Sequence, residues 1–157
     1  MNAMAPSYPP ELPSRRIRLE AGPAAVPEAR SQVRAAIRSW GASVDPEAAV
    51  LLTSELMTNA IRHETGPAVV LIITWSCGEL RVDVHDTAWS LPTVADVPAD
   101  AETGRGLLLV AALSAKWGCY RTLAGKAVYF TLTAQAQLDP RGPRRGLRAV
   151  NTRDGEP

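Results

Sequence analysis

The chain has 157 residues, a formal net charge of +1, and 46% hydrophobic and 21% charged residues. That length suits one domain rather than two and can bury a core without metal or disulfide staples. The balanced charge excludes the broad basic excess of a direct nucleic-acid binder and the acidic excess of a solvating tail, and no segment has the length and apolarity of a membrane span.

Residues 1–14 are proline-rich and without periodicity, which predicts a flexible leader with no apolar signal segment. Arg16 to Glu20 alternates and predicts a first strand. Pro23 stands where proline is tolerated in a helix's first turn, and Val26, Ala29, Val33, Ala36, Ile37 and Trp40 follow at helical spacing. Gly41 is placed to end that helix. Asp45 as N-cap and Pro46 at the first position open a second helix, which passes Leu51, Leu52, Leu56 and Ala60 to about His63. Val69 to Trp75 is an apolar, β-branched run and predicts a well-buried strand. After a turn at Cys77-Gly78, Leu80, Val82 and Val84 alternate to Asp86.

Residues 87–103 predict a long loop, a feature often tied to function. Gly104-Arg105-Gly106 then leads into a helix from Leu107 to about Ala115. Trp117–Thr122 and Ala127–Thr133 pair as a hairpin around Ala124-Gly125. Residues 135–157, with Arg141, Arg144, Arg145 and Arg148, predict a flexible basic tail. The domain therefore covers 15–134, as an α/β fold with helices on one face of a sheet. Cys77 and Cys119 lack zinc-site spacing and read as small buried thiols of a reduced, cytoplasmic protein.

The second helix carries the chemistry. Glu55 and Asn59 are four residues apart and share a face, which His63 continues, beside the apolar stripe of Leu52, Leu56 and Ala60. Such a face is either solvated or turned to a ligand. Asn offers a neutral oxygen to magnesium, and Glu a carboxylate able to take a proton from a hydroxyl. His63 reads either as a hydrogen-bonded residue near a helix end or as a phosphoryl acceptor at the nucleotide site. Asp86 reads either as a turn cap or as an acceptor for one directional hydrogen bond. Glycines at 104 and 106 read either as a plain loop-to-helix junction or as a place where backbone amides approach a phosphate at a helix N-terminus.

The segment Glu55-Leu56-Met57-Thr58-Asn59-Ala60-Ile61-Arg62-His63 resembles the N-box of the GHKL (Bergerat-fold) ATPases, in the form found in bacterial anti-sigma-factor serine/threonine kinases. Val84-His85-Asp86 is similar to the end of that family's first glycine box, and Gly104-Arg105-Gly106-Leu107 to its second. The resemblance covers about Arg16 to Leu132 and has the motifs in the family's order. It implies a two-layer α/β sandwich with a mixed, mostly antiparallel sheet. It also implies ATP and Mg2+ as cofactors, Glu55 as catalytic base and Asn59 as magnesium ligand. Asp86 would take the adenine amino group, and Gly104, Gly106 and Leu107 would approach the phosphates, with Arg105 either pairing with a phosphate or facing solvent. The partners implied are a sigma factor and a STAS-type anti-anti-sigma protein, and relatives of this size often dimerise. A two-component histidine kinase fits less well, because residues 1–22 are too short and proline-rich to supply a dimerisation helix with the acceptor His. A gyrase- or chaperone-like ATPase also fits poorly, since no transducer domain follows.

Two departures from the family pattern stand out. The first box reads Asp86-Thr87-Ala88-Trp89-Ser90-Leu91-Pro92 without a glycine, and Trp89 would either stack on a base, block the pocket or pack as an ordinary aromatic. Gly125-Lys126 replaces the family's Gly-Thr, so Lys126 either reaches a phosphate or is a solvated hairpin lysine. The departures motivate an alternative function: a non-catalytic regulator of transcription that binds nucleotide or partner through a degraded ATP site.

Overall fold

The computed structural model describes residues 11–63, 66–88 and 102–136. Its elements run β1 (Ser14–Glu20), α1 (Ala25–Trp40), α2 (Pro46–His63), β2 (Ala68–Ser76), β3 (Glu79–Asp86), α3 (Glu102–Leu113), β4 (Lys116–Arg121) and β5 (Lys126–Thr133). The five strands form one sheet in the order β1-β2-β3-β5-β4. All four pairings are antiparallel, so the parallel component of the expected mixed sheet is absent among the described residues.

Alternation fixes which face is covered. Val69, Leu71 and Ile73 of β2, Leu80, Val82 and Val84 of β3, and Val128 and Phe130 of β5 are buried against the helices. The intervening Val70, Ile72 and Thr74 are only half-buried. β2 is thus buried on one face, not on both as its continuous apolar run predicts. Its two-residue connection to β3 explains the pairing. Cys77 (φ 50°) and Gly78 (φ 72°) both take left-handed backbone, which matches the twist of a tight hairpin.

The helices form for reasons visible in their ends. Gly41 closes α1 in a left-handed conformation (φ 60°), and Ala42 N–H reaches back to Ile37 O at 3.0 Å. Pro23 lies ahead of α1, whose N-cap is Ala24, so the proline in the first turn is Pro27. Asp45 Oδ1 accepts the Glu47 N–H at 3.0 Å, capping α2. Thr53, fully buried on α2, donates its hydroxyl to Ala49 O at 2.7 Å.

The core lies between the sheet's inner face and the helices, with Val33, Leu52, Leu56, Met57 and Val110 meeting Leu71, Val82 and Phe130. α2 packs over β3 and β5 and against both other helices, so it is the central helix. No helix among the described residues is long and apolar enough to cross a membrane. Cys77 sits exposed at the hairpin turn and Cys119 is half-buried, which corrects the expectation of two buried thiols.

Candidate functional site

Glu55 and Asn59 lie one turn apart on α2, both half-buried, as their spacing requires. The neighbour of Glu55 is Gly106 of α3. A Cβ built on Gly106 would stand 2.5 Å from Glu55 Oε2 and 3.5 Å from its Cδ, so only glycine leaves the carboxylate room. The helix carrying the second glycine-rich motif therefore meets the acid of the first motif at Gly106, its fifth residue.

α3 starts at Glu102, five residues before the predicted start at Leu107. Gly104, Arg105 and Gly106 are inside the helix rather than ahead of it. Gly104 falls in the first turn, where backbone N–H groups have no partner within the helix and the helix dipole favours anions. Leu107 does not share that role: its side chain is buried in the core, and its amide lies beyond the first turn. The side chains of Arg105 and of His63, the last residue of α2, lie outside the described residues, as do Trp89 and the rest of 89–101.

A second cluster forms where β3 ends. The Asp86 side chain is 1% exposed; its Oδ1 accepts the Ala88 N–H at 2.9 Å, and its Oδ2 stands 3.6 Å from Lys126 Nζ. Lys126 is the residue directly across the β3–β5 ladder, and its side chain is 5% exposed. The expectation of a solvated or phosphate-reaching Lys126 is thus corrected: it is a buried partner of Asp86. The cause is register, which turns position 126 to the inner face together with Val128 and Phe130. Next to it, Gly125 lies against the Asp86–Thr87 backbone, with a Cβ there only 2.6 Å from Thr87 Cα. The Glu55–Gly106 contact and the Asp86–Lys126 pair are both on elements that pack with α2.

No group of three or more His, Cys, Asp or Glu positioned to hold a metal exists among the described residues.

The outer face carries a polar cluster that sequence reasoning missed. Arg81 donates twice to Asp83, at 2.8 Å each, and Tyr120 Oη donates to Asp83 Oδ1 at 3.0 Å. The hydrogen bonds to Asp83 hold the Arg81 guanidinium even more firmly protonated than usual. Burial, and then the charge of Asp83, push the Tyr120 hydroxyl up. Burial lowers His85, whose Nε2 is 3.5 Å from Tyr120 Oη. The signal was the i, i+2 pairing of Arg81 with Asp83 on one strand face, on either side of the inward-facing Val82.

Residues 19–132 match the family described as the histidine kinase-like ATPase domain. No curated protein matches the chain. Among solved structures, the chain is similar to the RsbU and RsbW domains of Rv1364c from Mycobacterium tuberculosis, at 21% identity and a TM-score of 0.55. That match covers 78% of this chain and 33% of the other, so this chain spans about a third of that protein's length, and at that identity the likeness is one of fold. With well over half of its residues matched, and with the paired helix motifs and strand-end acid in the places described, the chain belongs to the histidine kinase-like ATPase family.

Proposed function

We propose that this protein is an ATP-binding regulator that phosphorylates a serine or threonine of a STAS-type anti-anti-sigma partner and alternately binds a sigma factor in the cytoplasm. The observation that carries the reading is the apposition of Gly106 and Glu55, a cradle that a Cβ would fill. It sets a carboxylate against α3, just past the first-turn N–H groups suited to phosphate. ATP with Mg2+ would supply the transferable phosphoryl group. Asn59 offers its amide oxygen to the cation, and the first turn of α3 offers N–H groups to the phosphates. Asp86 offers a carboxylate to the base amino group. Glu55 takes the proton of the attacking hydroxyl as its oxygen bonds to phosphorus, and ADP leaves. The family assignment supports the nucleotide; the sequence resemblance supports the choice of partner.

The test is incubation of the full chain with γ-labelled ATP, Mg2+ and a STAS-type protein. Label on the partner is expected with the unmutated chain and not with Glu55→Ala. An unlabelled partner at every magnesium concentration contradicts kinase activity. A second reading, a regulator without chemistry, is favoured by one observation: Lys126 already pairs with the acid meant for the base. It predicts ATP binding, or partner binding alone, without transfer.

A further inference from the structure

A groove of about 390 Å³ opens where the start of α2 meets the end of α3, about two helical turns from the Glu55–Gly106 contact. Its apolar lining is Ala48, Leu113, Ala115 and Leu132, and Asp45, Ser114, Thr133 and Gln135 bring polar groups to it. Ser114 Oγ donates to Val110 O at 2.6 Å, which leaves its oxygen as an acceptor. The last carbonyls of α3 have no partner within the helix, and its last turn carries no basic residue. The two helix ends contribute about half a charge each, of opposite sign, so the Asp45 carboxylate leaves the groove with a net charge of about −1. Among the described residues Asp45 makes no ion pair; the nearby cations are engaged elsewhere, Arg34 with Glu47 at 3.1 Å and Lys116 with Glu79 at 3.6 Å.

The groove continues into exposed apolar surface. From Leu107 to Leu113 α3 has no polar residue, where a surface helix keeps a polar outer stripe. Leu108, Ala111 and Ala112 share its exposed side, Leu113 joins them at the groove, and Leu51 of α2 is exposed one turn from Ala48. We propose that this face docks a partner protein through an arginine flanked by an aliphatic side chain. The arginine's stem packs on the alanines and leucines of the groove, and its guanidinium spends its five donors on Asp45 and the oxygens around it. The aliphatic neighbour covers the outer leucines of α3. A small free amine would match the charge but leave that stripe in water, so the continuity of groove and stripe favours a protein. The inference does not depend on the nucleotide site.

The probe is the peptide acetyl-Leu-Arg-Leu-amide, titrated into the full chain and followed by backbone amide NMR shifts. Its control carries citrulline, which keeps the shape of arginine without the charge. The arginine peptide is expected to shift Ala48, Leu113, Ser114 and Ala115, half-saturating at roughly millimolar concentration, and the citrulline peptide to bind about fivefold more weakly. Asp45→Asn keeps an equally good helix cap and is expected to erase that difference. No shift at these residues at roughly ten times the expected concentration overturns the proposal, as does equal binding of the citrulline peptide or a difference that survives Asp45→Asn. If Asp45→Asn does not fold, the comparison of the two peptides on the unmutated chain decides. Equally tight binding of arginine amide without the leucines assigns the groove to small cations. Peptide binding that appears only after Arg141, Arg144, Arg145 and Arg148 are all changed to Gln assigns it to the chain's own tail. Either of these two outcomes overturns the partner proposal.

Discussion

Gly106 and Gly125 are both tight, yet they meet different kinds of neighbour. At Gly106 the obstacle is the far end of a flexible Glu55 side chain, and at Gly125 it is the Asp86–Thr87 backbone. Gly106→Ala should leave thermal stability unchanged or slightly raised, because alanine favours a helix by up to about 1 kcal/mol. It should still slow transfer on the order of 10²-fold by displacing Glu55. An unaltered transfer rate in a folded Gly106→Ala protein would remove Glu55 from the chemistry. Gly125→Ala should lose about 1–3 kcal/mol in urea unfolding, since backbone cannot swing aside. His85 is lowered first by burial; Asp83 and Asp86 oppose that shift, while Arg16 and Arg81 add to it. Its folded value lies below its unfolded value, so the unfolded chain binds more protons on acidification. His85 should therefore cost stability as pH falls through about 6.5 and below, and Tm against pH should flatten there in His85→Gln. An unflattened profile assigns the acid sensitivity to other groups.

At the scale of elements, periodicity located the three helices and five strands of the described residues, and what it missed has physical causes. α3 begins at Glu102 although it carries Gly104 and Gly106, poor helix formers alone; the helix packs on α2, and Gly106 allows its close approach to Glu55. Isolated sequence reads the same glycines as a loop. Asp86 was legible as the last residue of an alternating strand. Its burial with Lys126 was not, because it depends on the β3–β5 register, a long-range pairing that no local pattern encodes. The Glu55/Asn59 face was legible in its spacing, but the contact that distinguishes it from a solvated face comes from α3. Phe130 is fully buried on β5, opposite Val82 and Trp117. Phe130→Ala should cost about 3–5 kcal/mol in denaturant unfolding. A loss under about 1 kcal/mol would mean that the two layers do not share one core there.

At the scale of the molecule, one central helix packs against both other helices and over two strands, so the two clusters sit on a single framework. Their separation of roles predicts separable defects: Asn59→Ala should abolish magnesium-dependent nucleotide binding, and Glu55→Ala should keep binding while losing transfer. Both clusters are proposed to serve one nucleotide. Calorimetric titration of the full chain with ATP in the presence of Mg2+ tests that most directly, paired with the thermal shift that any ligand binding only the folded state must produce. Saturable binding with a raised Tm, lost in Asn59→Ala and retained in Glu55→Ala, is the predicted result. No heat and no rise in Tm for the unmutated chain at millimolar ATP would contradict it.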